Sequence, residues 1–249
     1  MKESKIIKNL IIILAAAFIF LTCVGASSAS VLAAGEKGKK DDVSFISYAE
    51  KEFLKGKETI STSGYKVTED TLYDLVSYML KRHPEYPMYI SGRTYKKSEK
   101  YIEFIDNLEE DPLKRAEKTK KAAQKIKFQG SEYEKIKALH NYLIEKTKYA
   151  TADDLCGTSG YDVLIKKKGI CQGYAAAYKL LCDANGIKCK VVTDKVKDHA
   201  WNIVKIDGKW YNIDVCWDDE NEDPYQYFLV SDENAHGRHA IPCDEDWQK

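Results

Sequence analysis

The sequence predicts an α+β fold in which one helix carrying a cysteine packs on an antiparallel sheet, preceded by a mostly helical N-terminal extension. Three observations predict it. Apolar residues recur at helical spacing up to Gly186 and at every second position after it. A helix opens sharply at Ser131-Glu132-Tyr133-Glu134, where Ser131 and Glu134 can satisfy each other's backbone amides. Asp207-Gly208 is a strong two-residue turn between two alternating runs.

The first 34 residues read as a targeting segment. Lys2, Lys5 and Lys8 make a positive start, Leu10 to Leu21 is a short apolar run, and small residues follow. Val31-x-Ala33 or Ser27-x-Ala29 supplies a cleavage signal. Residues 1–34 are therefore expected to be a signal peptide, with a retained anchor as the alternative, and the protein to be secreted or displayed at the cell surface. The apolar run is short for a membrane span, so no stable span is expected in the mature form. Residues 35–42, polar and charged, read as a flexible linker.

The 249-residue chain has 39 basic and 39 acidic residues, and loss of a segment with three lysines and one glutamate leaves a formal charge of −2. Such a balance offers no electrostatic footprint for nucleic acid or an anionic membrane. Cys156, Cys171, Cys182, Cys189, Cys216 and Cys243 remain after cleavage. An even count in an exported chain invites a disulfide framework, but a free thiolate at Cys171 would leave five. Mostly reduced cysteines are expected, with Cys182 and Cys189 the best candidates for an optional bridge. No CxxC pair occurs, so no zinc site is expected.

Residues 43–130 read as a mostly helical extension with short extended pieces. Thr68 caps a helix whose apolar face is Leu72, Leu75, Val76, Met79 and Leu80, ended by Pro84. His83 sits at that helix end, in a capping or packing position. Asp111-Pro112 starts a lysine-rich helix running toward Phe128. The catalytic domain is expected over 131–249. Ile136, Leu139, Leu143 and Ile144 stripe its first helix, with His140 packed beside the stripe. Tyr161 to Ile165 is a short helical turn and Lys166 to Gly169 a solvated basic loop. The next helix covers 171–184 and stops at Asn185-Gly186. Lys188 to Thr193, Ala200 to Ile206, Lys209 to Val215 and Tyr225 to Val230 read as strands.

The chemistry-bearing runs are Gly169-Ile170-Cys171-Gln172-Gly173-Tyr174, Asp198-His199-Ala200-Trp201-Asn202 and Trp210-Tyr211-Asn212-Ile213-Asp214-Val215. Only a thiolate attacks well, and the first turn of a helix aims unpaired amides and the positive end of the dipole at the Cys171 sulfur. An imidazole beside it can hold the thiolate and later protonate a leaving amine. If Asp207-Gly208 is the turn, Ile206 pairs with Lys209, Trp201 with Asp214 and His199 with Cys216. Asp214 is then the diagonal neighbour of His199, about 7–8 Å away along the backbone and within side-chain reach. There it would fix the imidazole tautomer. A slip of one residue would turn the carboxylate to the other face.

These residues resemble the transglutaminase-like superfamily. The resemblance covers Glu132 to Ser231, and its most specific parts are Gly-x-Cys-Gln-Gly-Tyr at 169–174, His-Ala-Trp-Asn at 199–202 and Trp-Tyr-Asn-Ile-Asp-Val-x-Trp-Asp at 210–218. It implies a papain-like core and acyl transfer or hydrolysis at amide bonds through a thioester, with Cys171 as nucleophile, His199 as general base and acid, and Asp214 as orienting residue. The oxyanion donors would be the Cys171 amide with Tyr149 or Gln172, and Trp201 would support the site. The expected partner is a protein or peptide substrate of the extracellular space or cell envelope. A non-catalytic peptide- or cell-wall-binding module on the same fold is the alternative. Animal transglutaminases of the superfamily need calcium, but Asp218, Asp219, Glu220, Glu222 and Asp223 lack the spacing of a calcium loop and read as a solvated acidic loop. No metal or other cofactor is expected.

Overall fold

Helix α1 (Asp42–Phe53) starts where the Asp41 carboxylate accepts a hydrogen bond from the Ser44 amide at 2.9 Å. The helix thus begins inside the expected linker, because Asp41 is a good N-cap rather than solvated spacer. The computed structural model describes residues 41–86, 100–103, 111–151, 157–195 and 198–231. The expected signal peptide, Cys156 and Cys243 lie outside the described residues.

After α1 come strand β1 (Thr59–Ser61), helix α2 (Glu69–Arg82) and strand β2 (Tyr101–Glu103), which pairs antiparallel with β1. Thr68 caps α2 reciprocally with Thr71. Phe45, Ala49 and Phe53 of α1 meet Ile60, Leu75, Met79 and Ile102 in a first core. Leu80, one residue past Met79 on α2, points elsewhere and packs with Ala175, Ala176, Val191 and Ala200. Ser77 and Thr193 bond hydroxyl to hydroxyl at 2.6 Å nearby. One helix therefore serves two cores.

Helix α3 (Pro112–Lys125) has proline in its first turn behind Asp111, whose carboxylate accepts from the Leu113 and Lys114 amides. It stops at Lys125, short of Phe128. Helix α4 (Glu132–Lys146) opens with the expected Ser131–Glu134 capping box. Strand β3 (Lys148–Tyr149), a π-helical turn (Asp162–Lys166) and strand β4 (Lys168–Gly169) follow, and β3 pairs parallel with β4. The expected basic loop at 166–169 is thus half strand, with Gly169 buried.

Helix α5 (Cys171–Ala184) is the central element, buried along most of its length from Gly173 to Cys182. It packs on a three-stranded antiparallel sheet of β5 (Cys189–Asp194), β6 (His199–Ile206) and β7 (Lys209–Ile213), with β6 in the middle. Ile206 pairs with Lys209 and Asn202 with Ile213, the register expected from the Asp207-Gly208 turn. Both turn residues have positive φ, as that turn requires. Ile136, Leu139, Leu143, Tyr178, Leu181, Val204 and Ile213 form the second core, and Ala123 of α3 belongs to it.

Two strand expectations differ from the structure. Strand β7 ends at Ile213 rather than Val215, and helix α6 (Val215–Asp219) takes over. Residues 225–230 turn repeatedly instead of extending, and only Val230 bridges to Asn212. Tyr225 and Phe228 face a buried histidine, described below, and Tyr227 meets Trp217.

Gly173 shows how tightly the start of α5 is held. A Cβ there would lie 2.2 Å from the Gly157 carbonyl oxygen, a backbone atom that cannot swing away. Gly173→Ala is expected to destabilise the protein by about 1–3 kcal/mol through overpacking, read as a lower urea midpoint at unchanged slope.

Candidate active site

Cys171 is the first residue of α5, and the N-cap residue Ile170 offers no side-chain acceptor to the first-turn amides. The backbone is fixed from behind, where the Ile170 amide donates to the Gly157 carbonyl at 2.8 Å. Gly169 leaves room for Val163 and Tyr174, since a Cβ at 169 would sit 2.5 Å from the Val163 side chain. The Cys171 sulfur is a free thiol, partly open to solvent, and Cys182, Cys189 and Cys216 are free but buried. Burial pushes the Cys182 and Cys216 thiols far up, so neither is a competing nucleophile.

His199 opens β6 and is 8% exposed. Its Nε2 lies 2.6 Å from Asp214 Oδ2, and Cys171 is a neighbour that acts on the same ring. Burial alone would lower the imidazole pKa. The hydrogen bond to Asp214, the neighbouring Cys171 thiol and the charges of both outweigh it and raise the pKa to about 9.

Asp214 reaches His199 by a different route from the expected strand diagonal. It is the N-cap of α6, and its Oδ1 accepts from the Trp217 amide at 3.0 Å. Capping one helix and orienting one imidazole use the two carboxylate oxygens separately. The Trp201–Asp214 and His199–Cys216 pairs do not form, because the chain leaves the sheet at Asp214, and Cys216 packs in the second core.

Aromatic rings fix the imidazole plane. Trp217 stacks on His199 at 4.4 Å between centroids, and Trp201 stacks at 5.8 Å, each tilted by 18°. Trp201 is fully buried, and its indole N–H donates to Asn212 Oδ1 at 3.0 Å. Sequence reasoning gave Trp217 no role. Its signal was the spacing: it is the third residue after a capping Asp214, where the cap folds it back toward the sheet.

Tyr149 lies on β3 beside Gly169 and is 42% exposed. Burial of its hydroxyl, with the charges of Cys216, Cys171 and Glu220 nearby, pushes its pKa well up, so it stays a hydrogen-bond donor. Gln172 occupies the first turn of α5, half-buried.

The acidic run is not a solvated loop at its start. Asp218 is 1% exposed, with Oδ2 2.8 Å from His140 Nε2, and Asp219 accepts from the Tyr174 hydroxyl. Burial raises the pKa of both carboxyls. No group of three or more His, Cys, Asp or Glu side chains suited to a metal ion occurs among the described residues.

Asp214→Asn keeps an oxygen for the Trp217 amide but removes the charge facing His199. The variant is expected to lower the imidazole pKa from about 9 toward its ordinary value, read by NMR titration of the ring. A raised folded-state pKa stabilises the fold fully below the ordinary histidine range, and that contribution disappears as pH rises through about 9. Wild-type stability is therefore expected to fall across that window more than that of Asp214→Asn.

Residues 120–215 match the model of the Transglutaminase-like superfamily. Over 105 residues the chain is 27% identical to mouse Kyphoscoliosis peptidase and 26% identical to the human protein, a stretch covering 35% of this chain and 16% of each relative. A solved structure of a TGase superposes with a TM-score of 0.36 at 22% identity, covering 45% of this chain and 34% of that one. The matched stretch holds Cys171, His199 and Asp214, and it is this part of the chain that is similar to the transglutaminase-like superfamily.

Proposed function

We propose that the protein is a cysteine enzyme that opens amide bonds of peptides or proteins through a thioester on Cys171. The observation that carries this reading is the His199 ring, bonded at 2.6 Å to the Asp214 carboxylate and with its charged form favoured by the neighbouring Cys171. A ring so held takes the thiol proton and becomes an imidazolium beside a thiolate. The sulfur adds to the amide carbonyl, giving a tetrahedral oxyanion. The Cys171 amide and the Tyr149 hydroxyl are the donors proposed to receive it, with Gln172 as the alternative to Tyr149. The imidazolium then gives its proton to the leaving amine, and the thioester remains.

Water or a second amine resolves the thioester, the first giving hydrolysis and the second cross-linking. The relatives' name, peptidase, favours water. The lysine-flanked apolar start of the chain supports action outside the cell, on extracellular or envelope peptides.

The test is incubation with glutamine-containing peptides, with and without a primary amine, followed by mass spectrometry. Clipped peptides establish a protease, exchange of the glutamine amide nitrogen for water oxygen without cleavage an amidase, and amine adducts a transferase. Cys171→Ala is expected to abolish every product, and His199→Ala to slow formation by about 1,000-fold or more. The pH profile of kcat/KM should carry an alkaline limb near pH 9, where the imidazolium loses its proton. Labelling of Cys171 no faster than that of an unfolded thiol below pH 7 would instead support a binding module.

A further inference from the structure

A second histidine–carboxylate pair lies behind the first. His140 of α4 is fully buried, its Nε2 2.8 Å from Asp218 Oδ2 and its Nδ1 3.1 Å from Asn141 Oδ1. Tyr225 stacks on the ring at 5.5 Å and Phe228 meets it edge-on at 5.0 Å. Asp218 Oδ1 accepts from the Tyr227 amide at 2.8 Å, so both carboxylate oxygens are engaged.

What makes the pair more than packing is where its bonds lead. The Asp218 amide donates to the Asp214 carbonyl at 3.0 Å, and the Asp214 amide donates to the Tyr227 carbonyl at 3.2 Å. The Tyr227 ring meets Trp217 edge-on at 5.0 Å, and Trp217 is the ring stacked on His199. The backbone of Asp214 and the plane of Trp217 are thus both tied to Asp218 or to the Tyr227 strand of turns that Asp218 holds. Helix α6 has five residues and cannot support itself. Apolar side chains of similar volume would fill this space at less desolvation cost, but without a fixed direction.

We propose that His140 and Asp218 are positioning residues for the thiol chemistry. They anchor α6 to α4 so that the Asp214 carboxylate and the Trp217 ring hold His199 in line with Cys171. The proposal rests on the thioester reading above.

The experiment measures the rate of Cys171 alkylation by iodoacetamide from pH 5 to pH 10, with the labelled site identified by mass spectrometry. His140→Phe keeps an aromatic ring between Tyr225 and Phe228 but removes the donor to Asp218. Its folded fraction is expected to label about tenfold more slowly at pH 6, with the inflection near pH 9 displaced downward by about one unit. His140→Gln, which can still donate to Asp218, should recover most of the rate. A folded His140→Phe with the wild-type rate and inflection would overturn the proposal, as would a His140→Gln no better than His140→Phe. If His140→Phe does not fold, Asp218→Asn gives the same readout. It keeps an oxygen for the Tyr227 amide, and an unchanged inflection there also overturns the proposal. Failure of the thioester reading looks different. Wild-type Cys171 would then show no advantage at pH 6 over the unfolded chain and no response to His199→Ala, which sinks both ideas before any variant at 140 is made.

Discussion

The hydrogen bond from His199 to Asp214 is the interaction that the rest of the site depends on. A nearly buried imidazole is driven toward its neutral form by desolvation, and a neutral ring cannot hold a thiolate. A carboxylate at 2.6 Å reverses that balance, because the same low dielectric that penalises a lone charge strengthens a paired one. Trp201 and Trp217 exclude water around the ring and fix its plane. Charge, orientation and dryness therefore come from four side chains on two neighbouring segments, β6 and the start of α6.

Bringing Cys171 to that ring is a matter of backbone clearance. Gly157, Gly169 and Gly173 lie at the points where the loop before α5, the strand pair β3–β4 and the first turn of α5 press together. At Gly157, φ is +113° and a Cβ would sit 2.8 Å from Ala150. At Gly173 a Cβ would strike a carbonyl oxygen. These glycines let the helix start close against the β3–β4 pair, so its N-terminal dipole and the sulfur arrive together.

Much of this was legible in the sequence, and for identifiable reasons. The Asp207-Gly208 turn demanded positive φ at two adjacent residues, which fixed the register of β6 against β7 as far as Ile213, one residue short of Asp214. The caps at Thr68, Asp111 and Ser131 act over three residues or fewer, so local reading found them. The end of β7 was not legible, because Asp-Val-Cys-Trp satisfies alternation as well as a helix start. The Asp214 carboxylate settles the competition by capping the Trp217 amide. The turns at 225–230 were read as a strand for the same reason: Tyr225, Tyr227 and Phe228 suit a sheet, but they gather around His140 and Trp217 instead. His140 and Asp218 are 78 positions apart, so no local pattern could pair them.

The acidic run makes the site and the fold interdependent. Asp214, Asp218 and Asp219 fall within one short segment, and each carboxylate is engaged by a different element: His199 on β6, His140 on α4 and Tyr174 on α5. Buried so close together, the acids work against one another, and the charge of Asp214 adds to the burial that raises the Asp218 pKa. Facing water, the same three residues would be better solvated, and the segment would have no preferred position. Buried polar contacts of this kind add little net stability, and their worth lies in direction, since each carboxylate oxygen meets its partner at a particular angle. Three directional anchors within the six residues 214–219 leave α6 a single seat. That seat is the one in which the first acid of the run meets the imidazole.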